Sequence, residues 1–499
     1  MTESRQCWLR RRQAGVLLHP TSLPGPDAQG DLGPTARGFV DYLARAGFGV
    51  WQMLPVGPVH DDLSPYRPRS SFAGHTGLLS AEDLQAQGLL EDNPPVAANQ
   101  IPERRGLVER AWNTFRNSAD AAQQSRYEAF VEAREDWLPD YALFRAIGLE
   151  ERDRPWYRWP PELRLRKAGA LARARRRCAA RIELECFGQY LFSRQWEALA
   201  EHAHARGIRL FGDLPIYVAD DSADAWRWQE YFTFDGHGHR TEVAGVPPDA
   251  FSRTGQRWGN PLYRWDRMAR EGFRWWIERF RAQCALFDLL RVDHFRGFES
   301  YWAVPGDAAT AEQGRWRTGP GKALFEAVFA ALGPLRLVAE DLGDITPAVD
   351  ALRRALGFPG MRVLQFGFEG DEDNPHRPAN HAEDSVVYTG THDNDTTLGW
   401  WRSLTANRQR SVLRCLGDPP ETMPRALVQA TMASTGRLAV VPMQDLLELG
   451  SDARMNVPGK VNGNWRWRMS KHDLDAGPAD WIRQLLDDSR RLPPPGLAL

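Results

Sequence analysis

Three acids each close a short apolar run of their own: Leu-Leu-Arg-Val-Asp293, Leu-Arg-Leu-Val-Ala-Glu340 and Val-Val-Tyr-Thr-Gly-Thr-His-Asp393. Runs of this length, rich in branched residues and bounded by polar or Gly/Pro segments, read as buried parallel strands. An acid at the carboxyl end of such a strand points into the mouth of an α/β barrel, where the βα loops build active sites. Three carboxylates gathered there supply what retaining glycoside chemistry requires: a nucleophile, an acid/base and a charge that stabilises an oxocarbenium-like transition state. One such acid alone would fit a helix cap or a surface position equally well; the repetition at three strand ends favours chemistry. Arg291 stands two residues before Asp293 and so shares its face of the strand. A guanidinium there keeps a nucleophilic carboxylate ionised and oriented. Glu340 follows Leu337-Val338-Ala339, an apolar setting of the kind that raises a carboxyl toward the range of a general acid. His392 offers a hydrogen-bond donor to Asp393, and Asp213, after the run Ile208–Gly212, is a fourth strand-end acid expected to support Arg291.

These residues need a frame. Eight strand candidates can be counted: Gly15–Leu18, Val50–Leu54, Ile208–Gly212, Leu289–Val292, Leu335–Ala339, Met361–Phe366, Val386–Thr389 and Leu438–Val441. Helical patterns lie between most of them. Thr346-Pro347 opens one with a cap and a first-turn proline, Val349, Leu352 and Leu356 form its stripe, and Gly357 closes it. Alternation of this kind predicts an α/β fold, a (β/α)₈ TIM barrel forming a single catalytic domain over residues 1–499. A doubly wound open sheet shares the pattern, because alternation does not itself show closure. Spacing predicts two insertions over the C-terminal face: a mainly helical one over 58–205, and a loop subdomain over 219–286 that includes the Gly/Pro-rich stretch Val243 to Pro261. The basic segment Arg164 to Arg177 reads as a solvated helix face ahead of a polyanion site.

Composition narrows the class. With 63 Lys plus Arg against 65 Asp plus Glu, neither nucleic acid nor an anionic membrane is the expected partner. The 20 Trp residues are compatible with stacking on the apolar faces of sugars, although packing accounts for most of them. Five dispersed cysteines (Cys7, Cys178, Cys186, Cys284, Cys415) without metal or redox spacing fit reduced thiols and a cytoplasmic protein. No cofactor fingerprint is present: Gly314 to Lys322 lacks the spacing of a phosphate loop, and His202-Ala-His204 makes an unconvincing metal pair. A reaction without metal or cofactor is therefore expected.

Seven strings together carry a resemblance: His19-Pro-Thr-Ser-Leu-Pro-Gly25, Ser64-Pro-Tyr66, Gly212-Asp-Leu-Pro-Ile-Tyr-Val218, Trp258-Gly-Asn-Pro261, Arg291-Val-Asp-His-Phe-Arg-Gly-Phe298, Ala339-Glu-Asp-Leu-Gly343 and Gly390-Thr-His-Asp-Asn-Asp-Thr-Thr397. With Pro442-Met-Gln-Asp445 and Arg454-Met-Asn456, the chain resembles the amylomaltase (4-α-glucanotransferase, disproportionating enzyme) family over about residues 15 to 470. The resemblance implies an insertion-bearing barrel, without a C-terminal β-sandwich domain, acting on maltooligosaccharides and α-1,4-glucans. It places the nucleophile on Asp293, the acid/base on Glu340 and the stabiliser on Asp393. Arg291, His294 and His392 fall on substrate-contacting positions, Tyr66 on the aromatic under the donor sugar, and Asp249, Gln256 and Trp258 on the loop that shapes the acceptor side. Transfer to a second glucan is the implied reaction. A hydrolase that gives the same intermediate to water shares the carboxylates, and a glucan-binding protein without catalysis is a more distant alternative. The chain departs from the family pattern at Asp61, where an aromatic is usual, at Arg67 for Gln, at His75-Thr76 for Asn-Pro, and at Ala379 and His381. These changes bear on glucan length and acceptor choice and leave the acids in place; Asp61 for an aromatic implies a weaker hold on remote glucose units.

Overall fold

All eight apolar runs are strands, and all pair in parallel. The computed structural model describes residues 9–25, 29–91, 104–248, 252–460, 462–475 and 477–493. Among them, β1 (Gln13–Leu17), β2 (Val50–Gln52), β3 (Arg209–Leu214), β6 (Leu289–Val292), β9 (Leu337–Ala339), β10 (Gly360–Val363), β11 (Ser385–Tyr388) and β12 (Leu438–Pro442) form one sheet, in the order β10-β11-β12-β1-β2-β3-β6-β9. Its two ends meet. The Ala339 amide donates to the Pro359 carbonyl at 2.9 Å, and the Met361 amide donates to Asp341 Oδ1 at 2.6 Å. The sheet therefore wraps into a barrel, and the open doubly wound alternative falls away.

Strand periodicity sorts the side chains. Phe211, Leu289, Val338, Met361, Val386 and Leu438 face one another and fill the interior, while Val16, Trp51, Leu210, Val292 and Ala339 face the surrounding helices. Above the apolar filling the interior turns polar, with the Tyr388 hydroxyl donating to Gln52 Oε1 across 2.9 Å. The register sets Asp213 of β3 opposite Arg291 of β6, and Arg291 opposite Val338 of β9. Two residues further along β6 and β9 on the same face come Asp293 and Glu340. The sheet register alone thus delivers four charged groups to one quadrant of the mouth.

Local signals position the helices. Thr346 Oγ1 accepts from the Val349 amide to cap the helix Pro347–Leu356, and Gly357, at φ 71°, closes it in the left-handed conformation that costs glycine little. The 27-residue helix Ala179–Ala205 leads into β3 and packs on both Pro34–Ala46 and Leu138–Glu150. Between β2 and β3 also lie the helices Ala81–Ala86, Arg105–Ser118, Ala121–Glu132, Pro161–Arg164 and Ala168–Arg177. Four cations of the basic segment pair with carboxylates: Arg166 and Arg175 bond Asp140, Arg173 bonds Glu162 and Arg177 bonds Glu150. His202 and His204 contact different carboxylates, Asp41 and Asp288.

The stretch Val243 to Pro261 differs from the expected loop. It holds β4 (Glu242–Val246) and β5 (Gln256–Pro261), which join β7 (Ser300–Pro305) and β8 (Arg315–Thr318) in an antiparallel sheet ordered β5-β4-β7-β8. Its glycine serves strand contact: a Cβ on Gly245 would lie 2.4 Å from the Gln256 carbonyl oxygen. Residues 300–318 pair with each other as β7 and β8, and β7 joins the sheet through β4, which lies in a different connection of the barrel.

Arg491, 1% exposed, locks the opposite end. Its guanidinium donates to the carbonyls of Met432 (2.7 Å), Gln13 (2.9 Å), Ser434 (2.9 Å) and Gly436 (2.8 Å), tying the C-terminal segment to the starts of β1 and β12. Arg491→Met keeps the stem and strands these buried carbonyls. A loss of about 3 kcal/mol in unfolding free energy is expected from urea denaturation; a change below about 0.5 kcal/mol would show that the clamp contributes little.

Candidate active site

At the mouth, the buried Arg291 guanidinium holds three carboxylates together. Its Nη1 donates to Asp213 Oδ1 (2.8 Å) and Oδ2 (2.7 Å) and to Asp293 Oδ1 (3.0 Å), while Nη2 lies 4.0 Å from Glu340 Oε2. Burial alone would make Arg291 easier to deprotonate; Asp213 first, then Tyr66, Asp293 and Glu340, outweigh it and hold the group charged. Burial also pushes Asp213 up, against the pull of Arg291. Two short bonds from a guanidinium keep Asp213 a carboxylate, and the Tyr66 hydroxyl donates to its Oδ2 at 2.8 Å. The expected support of Arg291 by Asp213 is a direct ion pair.

Glu340 has a different environment. Its Oε2 accepts the His294 amide at 2.6 Å and its Oε1 the Leu342 amide at 3.2 Å. Burial pushes the carboxyl up to about 7; Arg291 and the His294 amide oppose this, and the nearby Asp293 charge adds to it. The apolar setting inferred from Leu337-Val338-Ala339 is thus reinforced by a like charge. His294 adopts φ 45°, an uncommon conformation for a residue with a side chain, and its amide is the one that reaches Glu340. Burial lowers its imidazole to about 4, so the ring is neutral near pH 7.

The third acid approaches from the other side. Asp393, past β11, is half-exposed; its Oδ1 accepts from Asn456 Nδ2 at 2.6 Å and lies 3.4 Å from His392 Nε2, and its carbonyl accepts from Arg454 Nη2 at 2.7 Å. His392 stacks on Tyr66 with centroids 5.0 Å apart and planes 18° from parallel, and Trp465 flanks both rings at about 6 Å. Asn456 and Trp465 are the residues that sequence reasoning missed. Asn456 closed one of the recognised strings without an assigned role, and Trp465 lies in irregular backbone with no period to mark it. A small concavity of about 30 Å³ beside this wall is lined by His19, Thr391, His392, Gln444 and Arg454.

Trp258 stands on β5, not on an exposed loop, and meets His294 edge to face at 4.8 Å; its Nε1 donates to Gln256 Oε1 at 3.1 Å. Asp249 lies outside the described residues. The departures take up varied places. Arg67 pairs with Asp62 and Asp220, each at 3.3 Å. Asp220 also accepts from Arg240 Nη1 (2.6 Å), which donates to the Gly259 carbonyl (2.8 Å). A chain of charges therefore runs from the residue after Tyr66 to the residue after Trp258. His75 and His381 are buried, and Asp61 and Ala379 are exposed.

Glu340 should therefore titrate near pH 7, well above an ordinary glutamate. Asp293→Asn, which removes a neighbouring negative charge, should lower that midpoint, and Arg291→Met should raise it. Infrared difference titration of the carboxyl band, with Glu340→Gln as the blank, reads both shifts; an unmoved midpoint in Asp293→Asn would break the coupling. By linkage, the stability this raised group contributes is complete below about pH 4.5 and lost as pH rises through about 7.

Comparisons with known proteins find close similarity over nearly the whole chain. Residues 18–474 match the family described as 4-alpha-glucanotransferase. The 4-alpha-glucanotransferase of Thermus thermophilus is 45% identical over 500 residues, spanning 96% of this chain and 99% of that protein. The chloroplastic/amyloplastic 4-alpha-glucanotransferase of Solanum tuberosum is 42% identical, spanning 97% of this chain and 87% of that one. The solved amylomaltase from Streptococcus agalactiae in complex with acarbose superposes with a TM-score of 0.92 at 34% identity, covering 97% of this chain and 100% of that one.

Proposed function

The chain belongs to the 4-alpha-glucanotransferase family, and from that premise we propose that it moves an α-1,4-linked glucan segment from a donor to the 4-hydroxyl of glucose or of another α-1,4-glucan, in two displacements through a glycosyl ester on Asp293. The observation that carries this is the single guanidinium of Arg291, which grips Asp293 Oδ1 while Glu340, at its other nitrogen, is buried and holds a proton near neutral pH. Arg291 takes Oδ1, so Oδ2 attacks the anomeric carbon. Glu340 gives its proton to the glycosidic oxygen, and the leaving chain departs with a new 4-hydroxyl. In the second step the Glu340 carboxylate takes the proton from an acceptor 4-hydroxyl, whose oxygen attacks the same carbon and releases Asp293. Net retention follows from the two inversions, and the short carboxyl separation of about 5–5.5 Å that this chemistry uses fits two acids on one guanidinium. Asp393, held by Asn456, faces the positive charge that develops on the ring. Tyr66, His294 and His392 contact the donor sugar, and Asp249, Gln256 and Trp258 shape the acceptor side.

A hydrolase would form the same intermediate. Transfer is favoured by the order of the acceptor wall, where Trp258 is held between His294 and the Asp220–Arg240–Gly259 bonds and limits the room for water. Maltooligosaccharides and α-1,4-glucans are the substrates, with no metal or cofactor required. The cytoplasm is the proposed compartment, which suits the dispersed thiols; among the described residues no helix is long and apolar enough to cross a membrane.

Incubation with pure maltotriose, followed by chromatography, tests the proposal. Glucose together with maltopentaose and longer oligosaccharides is expected; glucose and maltose without longer products would show a hydrolase. Glu340→Gln should lower kcat/KM for maltotriose by about 10²-fold or more, and much less for an aryl glucoside whose leaving group needs no proton. Equal losses on both substrates would remove Glu340 as the acid.

A further inference from the structure

Of the 20 tryptophans, the proposed reaction uses Trp258. Trp51, Trp156, Trp159, Trp196, Trp226 and Trp276 are core anchors, almost fully buried. Trp137 and Trp228 differ: both are half-buried, and with Phe72 and Trp275 they line a concavity of about 520 Å³. It lies on the flank of the barrel, between the helix Ala179–Ala205 that leads into β3 and the helix Arg274–Leu286 that leads into β6. None of the acids or substrate-contacting residues of the mouth lines it. Phe72 sits at its centre, stacked on Trp137 (6.2 Å, 18°) and 5.8 Å from Trp228, with Trp228 edge-on to Trp275 at 6.3 Å.

The rim restricts what such a platform would accept. Arg274 pairs with Asp136 (3.7 Å), Arg281 with Glu278 (3.0 Å) and Arg227 with Asp140, while the Arg134 guanidinium lies over the Phe130 ring at 4.0 Å and reaches Ser193 Oγ at 3.5 Å. Three of the four rim cations already have carboxylates, so an anion could meet only Arg134 without breaking an ion pair. An aliphatic or lipid occupant would cover these charges without satisfying them. A neutral molecule with apolar C–H faces for the rings and many hydroxyls for the ion pairs meets both conditions, and that description is a sugar.

We propose that this flank pocket is a second carbohydrate site, which holds a stretch of α-1,4-glucan apart from the catalytic acids. The identity of the sugar rests on the proposed function; the pocket and its largely ion-paired rim do not. A chain long enough to engage both sites gains from the higher effective concentration of its other end at the mouth, and a trisaccharide does not.

Full-length Asp293→Asn protein, titrated calorimetrically with maltoheptaose, should show two binding events per chain. Adding Trp228→Ala should weaken one by about tenfold and leave the other unchanged, and Trp228→Phe should restore it. Ala282→Glu, which puts a carboxylate on the half-buried wall without removing an aromatic, gives the same loss and decides the matter if Trp228→Ala fails to fold. In otherwise wild-type enzyme, Ala282→Glu should raise KM for long amylose several-fold with kcat/KM for maltotriose within about twofold. A single event in the parent, or two events untouched by both substitutions, would overturn the second site; displacement by inorganic phosphate would overturn its neutral ligand. Wild-type turnover of maltotriose, run in parallel, separates the two proposals. Absence of longer products sinks the transferase, whereas disproportionation with a single binding event sinks the second site alone.

Discussion

A guanidinium buried at the top of a barrel loses several kcal/mol of hydration, and only closely placed carboxylates restore it. Arg291 meets that condition through Asp213, which spends both oxygens on Nη1, and through Asp293, which gives one. The same arrangement differentiates the acids. One positive charge accommodates the two carboxylates in direct contact with it, while Glu340, 4.0 Å from the second nitrogen and close to Asp293, keeps its proton up to about pH 7. In the proposed mechanism, a nucleophile and a proton donor thus arise from chemically similar side chains through their distances to one cation.

Sheet register places the cation. Asp213 faces Arg291 across β3 and β6, and Glu340 follows Val338 on the next strand, so a slip of one residue would turn each of them into the helical layer. The remaining contacts refine this quadrant. The left-handed turn at His294 brings an amide to Glu340, the Tyr66–His392 stack closes the floor opposite, and the antiparallel sheet delivers Trp258 from a connection of the barrel separate from the acids.

What could be foreseen from sequence divides along physical lines. The eight barrel strands and three acids were legible because a buried parallel strand leaves a continuous apolar run, and a polar residue at its end stands out. The cap at Thr346 and the stop at Gly357 were legible because they act within one turn. Strands β4, β5, β7 and β8 were not: the β4–β7 pairing that unites them joins segments some sixty residues apart, and the glycines that permit close contact look like loop residues. Asn456 and Trp465 reach the site from irregular backbone, which has no period to read. Arg67, singled out as a departure, acquires meaning only through Asp220 and Arg240, brought near by tertiary structure. The flank pocket arises from five separate segments and has no signature in any of them.

The central claim, that Arg291 makes Asp293 the nucleophile and Glu340 the proton donor, is tested most directly by trapping the intermediate. With α-maltotriosyl fluoride, whose leaving group needs little protonation, Glu340→Gln should still form the ester and should resolve it slowly for want of a base. Mass spectrometry of the quenched, digested protein should find one maltotriosyl adduct, on the peptide containing Asp293, and none in the variant that also carries Asp293→Asn. An adduct on another carboxylate, or hydrolysis of the fluoride to the inverted anomer with no adduct at all, would contradict the account.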